Sequence, residues 1–549
     1  MSRSRALEIA GVCAAFAAAV VLIHPRGNFP LNDDGLYALP TFEFAATGKF
    51  HMTMMSPSLR AQIVWGALWV RALGASYDTL RLCTIVTAIA TVGMMNALIA
   101  QTPLPRIGRI VATLAFAFHP IFLWSSCTFM TEVHFLFCCV TALYFYVRAF
   151  REERVGLLMA ACVTVAISWW VRQTGIITAF PPIVFLLLYR ERLSRRWMRD
   201  LAICVTPVIV FAIIERLWPD TLVGNAVELQ TLTHQWHEAT WRLPQITAWA
   251  YRCTYWTLET TALMFLPIVA VLRFRATTRN AKAIVAAAVL LIGIGTMASL
   301  RDHIPLPHYG KIGYNDYVGG DILMNFGLGP PTLPKAFSGE VAYPVSLPYP
   351  FRVALTLLAD AAAVVLIAAA SFAVRDRWRA PRENVLLFLG LLFAAAYTAS
   401  LWISNAYFDR YSLTSQWPLA IGAAVLVPWE RVSVRTISLA LLACLAAFGV
   451  AATREYFAWQ TAHWRAWSEL RRAGVPVTDI DGGAETYQIY ELAYVKDLHA
   501  RRRLALGRPP KRFTIEFGER PGYRVVARHP FAGWMGLHRG EVVTLERWP

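Results

Sequence analysis

Apolar runs of bilayer length recur along the whole chain. They fall near residues 7–23, 79–100, 110–126, 131–147, 157–171, 175–189, 201–218, 246–272, 283–300, 353–374, 385–404, 412–427 and 436–452. A hydrocarbon core about 30 Å thick is crossed by about 20 apolar residues in a helix, so the pattern predicts an α-helical polytopic membrane protein with about thirteen transmembrane helices. Between them, residues 59–74 are weakly apolar, carry Gln62 and Arg71, and are too short to span; they predict a helix lying along the outer surface. The tail changes character. A helical pattern through Trp464, Trp467 and Leu470 ends at Gly474, and shorter β-like runs follow near 475–480, 513–517, 523–527 and 542–545. The expected organisation is a membrane body, residues 1–452, and a small α/β or α+β domain, residues 453–549.

Composition agrees. Of 549 residues 57% are hydrophobic, too many for a soluble chain of this size. The formal net charge of +17 raises nucleic acid as a partner, but the arginines sit in short patches between apolar runs rather than on one basic face or arm. That distribution excludes nucleic acid and sets topology. Arg106 and Arg109, Arg148 to Arg154, Arg190 to Arg199, Arg273 to Lys282, Arg375 to Arg382, and Arg431 with Arg435 mark one side as cytoplasmic, together with Arg3 and Arg5. The first span, with no cleavage-type sequence after it, is expected to be retained. The opposite, exoplasmic side then receives residues 28–78, 219–245, 301–352 and the tail. The loop 301–352 is rich in Pro, Gly and Tyr and is expected to form a lid on the membrane surface. The nine cysteines lie in or beside apolar segments without a C-x-x-C pair, and read as small buried hydrophobes.

Candidate chemistry gathers on the exoplasmic side. Asp33 and Asp34 are adjacent acids after the first span, followed by Tyr37. One acid of such a pair can serve as a general base while the other orients it; the alternative is a helix cap by Asn32 or Asp34. Glu132, in T-E-V-H-F, opens the fourth span, as a second acid or as a cap. Arg172 and Gln173, in R-Q-T-G, interrupt apolar sequence: the guanidinium suits a phosphate, an ion pair with Glu132, or snorkelling. Tyr407, Asp409 and Arg410, in Y-F-D-R-Y, stand at another outer mouth, where Arg410 either contacts a phosphate or closes a local bridge with Asp409. His234, His237 and Glu238 lack the order of a metalloprotease helix. Glu259 and Asp360, inside spans, are expected to face the bundle interior. No metal site is predicted; a divalent ion stays open.

Taken in order, D-D-x-x-Y in the first outer loop, T-E-V-H-F, R-Q-x-G and a late F-D-R-Y resemble the GT-C class of integral-membrane glycosyltransferases, in particular the protein O-mannosyltransferase, aminoarabinose-transferase and lipopolysaccharide-core transferase group. The family motif is D-E-x-x-Y, so the second acid differs here, and Glu132 stands where relatives often carry Asp. The resemblance implies a bacterial inner-membrane enzyme that takes a sugar from a polyprenyl-phosphate carrier and passes it, with inversion, to a glycan, lipid or protein acceptor on the exoplasmic face. It makes Asp33 the base, Asp34 and Glu132 its companion acids, and Arg172, Arg410 or Lys311 the partners of the lipid phosphate. The rival reading is a transporter or flippase for a lipid-linked or amphipathic solute, which calls for polar groups at the bilayer midplane and repeated broken helices.

Overall fold

The computed structural model describes residues 3–548 except 54–58, 194–195, 218–242, 274–278, 309, 313–315, 320–322, 324–327, 329–332, 334–346, 403–405 and 494–509. Every predicted span falls on helix, and the chain is a multi-pass membrane protein with a small C-terminal sheet. Among the described residues seven helices are long and apolar enough to cross a membrane, with two shorter apolar ones at Val155–Val171 and Val385–Leu401. This number is below thirteen partly because proline divides some runs. Run 110–126 breaks into α5 (Arg106–Ala117) and α6 (Pro120–Ser125), where the His119 ring accepts the Ile121 N–H at the new start. Pro120 lacks the donor that a continuous helix needs and sits where a first turn tolerates it. Run 246–272 divides in the same way into Leu243–Met264 and Leu266–Val269, with Pro267 in the second piece. Run 175–189 opens as a 3₁₀ turn, Gln173–Ala179, before the helix Phe180–Leu193.

The loop after the first span contains α2 (Asp34–Thr47) and α3 (Arg60–Leu73), and α3 ends at Gly74, so residues 59–74 are helical. Beneath them run α1 (Arg3–Ile23) and α4 (Tyr77–Ile99). At the centre stands α7 (Thr131–Glu152), packed against α4 and α8 (Val155–Val171). In its most apolar stretch 72% of residues are buried, against 22% in the peripheral helix Arg279–Arg301. A polar group at the N-terminal end of α7 is therefore enclosed by neighbours.

The expected lid carries structure. Strands β1 (Gly310–Ile312) and β2 (Asp316–Gly319) pair antiparallel, and β2 pairs in parallel with β3 (Ala406–Phe408), Val318 opposite Tyr407. The loop is thus fastened to the strand that leads into the helix Asp409–Ala424. In the tail, β4 (Ile480–Asp481), β5 (Phe513–Glu516), β6 (Tyr523–Gly533) and β7 (His538–Arg547) form a mixed sheet in the order β4-β5-β7-β6. That sheet packs on the helix Val432–Arg472, 41 residues long, which carries the last span directly into the tail. The approach is close: a Cβ at Gly533 would lie 2.6 Å from the Glu455 carboxyl carbon.

Arg81, near the N-terminal end of α4, fastens the first loop to the bundle. Its guanidinium, 2% exposed, donates to the carbonyls of Gly27 and Cys127, both at 2.9 Å, to Phe29 at 3.3 Å, and to Asp78 at 2.7 Å. Arg81→Met strands these acceptors and is expected to destabilise the fold by about 3–5 kcal/mol. Arg71→Met, at an exposed arginine, stays within about 0.5 kcal/mol. Thermal melting of the two variants in detergent checks this, and equal melting would refute it.

Candidate active site

The site is assembled from the ends of separate elements. Asn32 takes a left-handed backbone conformation, φ 53°, and turns the chain into α2. Asp33 stands at the N-cap position, yet its side chain makes no cap hydrogen bond. Its Oδ2 instead accepts from Arg410 Nη2 at 2.8 Å. Asp34 faces the other way: Oδ1 accepts the Leu31 N–H at 2.6 Å and Oδ2 the Phe129 N–H at 3.3 Å. The two acids therefore have different work. Asp34 ties the loop to the segment before α7, and Asp33 reaches the second half of the chain.

Glu132 lies in the first turn of α7, where the helix dipole favours a negative charge. Its Oε1 is 3.2 Å from Arg172 Nη1 and 3.5 Å from Arg410 Nε. Arg172 is the residue at which α8 ends, in extended conformation, so its side chain turns back along the bundle. The ring of Tyr411 lies beneath both cations, 4.8 Å from the Arg172 guanidinium carbon and 5.4 Å from that of Arg410. Side-chain exposure is 8% for Asp33, 5% for Arg410, 4% for Glu132 and 19% for Arg172. Two carboxylates and two guanidiniums balance formally in a place where an unpaired charge is costly. Tyr37, one turn beyond Asp33, is buried beside them; burial, then the Asp33 carboxylate, pushes its phenol well above the ordinary value.

Other candidates stand around this cluster. Arg410 does not close a local bridge with Asp409: Asp409 Oδ2 accepts the Leu323 N–H from loop 301–352 at 2.9 Å, while Arg410 crosses to Asp33. Tyr407 is buried against Trp256, ring centroids 5.2 Å apart. Gln173 is half-buried beside Arg172, and its Nε2 has no hydrogen-bond partner among the described residues. Lys311 lies on β1, and its side chain is outside the described residues, as are His234, His237 and Glu238. Glu259 and Asp360 are buried inside the bundle as expected, Glu259 paired with His308 at 2.6 Å. Among the described residues no group of three His, Cys, Asp or Glu side chains could hold a metal ion.

Sequence reading missed the tail's part in the site. Glu485, 1% exposed, accepts the Asn32 N–H at 2.6 Å and the Gln460 side-chain amide at 2.9 Å. It grips the residue immediately before Asp33. On the other side of the acids, Gly35 and Ile489 approach closely: a Cβ on Gly35 would lie 2.4 Å from the end of the Ile489 side chain. The 453 positions between Asn32 and Glu485 carry no local signal of the contact. Arg81 and Tyr411 were also passed over, although a lone arginine at the mouth of an apolar span is a signal that could have found the first.

Fold and site together define a polytopic membrane protein with a buried, charge-balanced acid and arginine cluster at one end of its helices. No protein-family model and no curated sequence matches the chain. Among solved structures it is similar to ArnT from Cupriavidus metallidurans bound to undecaprenyl phosphate, at 13% identity and TM-score 0.40, over 99% of this chain and 98% of that one. It is also similar to the archaeal oligosaccharyltransferase AglB from Archaeoglobus fulgidus in complex with an inhibitory peptide and a dolichol-phosphate, at 12% identity and TM-score 0.44. That alignment covers 86% of this chain and 60% of that one.

Burial pushes the Asp34 carboxyl up to about 7, against the opposing pull of the Leu31 and Phe129 N–H groups and of Arg81. A carboxyl with a higher pKa folded than unfolded holds its proton more tightly in the fold, so its contribution to stability falls as pH rises from about 4 to about 7. Asp34→Asn removes this component. Its melting temperature is expected to gain on the wild type across that interval and to keep a constant offset above it; an offset independent of pH would refute the assignment.

Proposed function

We propose that the chain is a glycosyltransferase that moves a sugar from a polyprenyl-phosphate carrier to an acceptor at the exoplasmic, in a bacterium periplasmic, face of the inner membrane. The observation that carries this reading is the meeting of Asp33, Glu132, Arg172 and Arg410 from four separate elements in one buried cluster. Residues 1–452 then form the catalytic body and 453–549 an exoplasmic domain over its mouth. The loop charges orient this end outward.

In this reading the phosphate of the donor competes for the arginines. A phosphodiester drawn to Arg172 and Arg410 replaces carboxylate contacts with phosphate ones and releases Asp33 toward the acceptor hydroxyl. The acceptor oxygen attacks the anomeric carbon, its proton passes to Asp33, and the bond from that carbon to the phosphate oxygen breaks with inversion. The departing polyprenyl phosphate gains one negative charge, which the two guanidiniums stabilise. Glu132 holds both arginines in place, and Asp34 holds the loop that presents Asp33. Beside Asp409 lies an apolar groove of about 270 Å³, lined by Leu263, Leu306, Leu323, Phe351 and Phe448 among others. Leu323 is the residue whose N–H binds Asp409. The groove suits an isoprenoid tail whose phosphate ends at Arg410.

Transfer from polyprenyl-phosphate sugars by the purified, reconstituted chain tests this. Asp33→Asn is expected to lower the rate about 10²–10⁴-fold, as for loss of a general base. Arg410→Lys keeps the charge but loses the planar fork, and is expected to fold and to lose most activity. Undiminished transfer by Asp33→Asn would remove Asp33 from the role of base. Movement of the lipid-linked solute across the membrane with no new glycosidic bond would establish a transporter instead.

A further inference from the structure

A second concavity lies away from the apolar groove and differs from it in kind. It is a cleft of about 400 Å³ between the first outer loop and the tail. Its walls include two stacked aromatic pairs, in which Phe29, Trp464 and Trp467 are buried and Tyr490 presents the open ring. Phe29 and Trp464 lie 6.3 Å apart at 12°, and Trp467 and Tyr490 lie 5.5 Å apart at 19°. Trp464 and Trp467 meet at 74°, so the pairs form a corner. The rim is polar, with Asn28, Ser468, Arg465 and Arg472. Arg465 is paired with Glu469 at 2.9 Å. The indole N–H of Trp464 is a buried donor with no hydrogen-bond partner among the described residues.

Flat aromatic faces with hydrogen-bonding groups at their edges suit one ligand chemistry in particular. A pyranose ring presents apolar C–H faces and a rim of hydroxyls, and an amphipathic aromatic corner meets both. The cleft lies near the acids. Pro30 and Ile489 line it, and these same two side chains enclose Gly35, next to Asp34.

We propose that this cleft binds a saccharide, the acceptor of the reaction, and directs its free hydroxyl toward Asp33. The acceptor role rests on the transferase reading; the saccharide binding does not. Saturation-transfer NMR on the full chain in nanodiscs, without donor, tests the binding with maltotriose and a lipopolysaccharide core oligosaccharide as probes. Tyr490 is 53% exposed, so replacing it spares the fold. Tyr490→Ala is expected to weaken binding about fivefold and Tyr490→Phe by less than about twofold, the scale of one stacked ring. Absence of signal from both probes, or a signal indifferent to Tyr490→Ala, would overturn the proposal. Asp33→Asn run in parallel separates the two ideas. Full transfer by that variant alongside Tyr490-dependent binding sinks the base and keeps the cleft. Transfer abolished by Asp33→Asn but with binding blind to Tyr490 sinks the cleft and keeps the base.

Discussion

A guanidinium taken out of water must meet its counter-charges inside the protein, and this requirement at Arg410 organises the molecule. Asp33 and Glu132 answer it from the first loop and from the central helix, and Arg172 completes the balance from the end of α8. None of these side chains is stable in its place without the others. Helices distant in sequence are thereby fixed at one end by electrostatics, while along their lengths they are held by apolar packing. The backbone beside the cluster includes a left-handed turn at Asn32 and an extended residue at the end of α8.

The chain contains a useful internal comparison. Glu8, on α1, is also buried among arginines, at the opposite, Arg-rich end of the bundle. Its two oxygens are taken up by Arg5 and Arg109, with Asn96 beside them. Both carboxylate oxygens of Glu8 are engaged there. Glu132, by contrast, has an oxygen, Oε2, with no hydrogen-bond partner among the described residues. The same holds of Glu259 Oε1 and Asp360 Oδ1 inside the bundle, although buried polar atoms are normally satisfied.

Much of this was legible in the sequence because membranes impose strong rules. Apolar run length placed every span on helix, and the arginine patches gathered the acids and Arg172 on one side. The Glu132 and Arg172 pairing was among the alternatives that residue types alone raised. The different duties of Asp33 and Asp34 were less accessible. Adjacent residues at a helix start point in different directions, and which one reaches Arg410 depends on a left-handed residue that sequence does not announce. The contacts of Glu485 and Ile489 were invisible for another reason: they join segments more than 450 positions apart, and a lone glutamate after two glycines has no periodicity to read. Proline breaks inside apolar runs were visible letter by letter, yet their effect on the number of uninterrupted helices emerges only from the fold.

The helix Val432–Arg472 has a consequence of its own. At about 1.5 Å per residue it is about 60 Å long, roughly twice the thickness of a hydrocarbon core, so half is anchored in lipid and half stands beyond it. The outer half bears Gln460 and Trp464, which meet Glu485 and the first loop. Such a rod is a lever. A change of about 5° in its tilt moves a point about 30 Å beyond the bilayer by about 3 Å, as much as a hydrogen bond is long. One continuous helix thereby joins the last apolar span, through Gln460 and Glu485, to the residue next to Asp33.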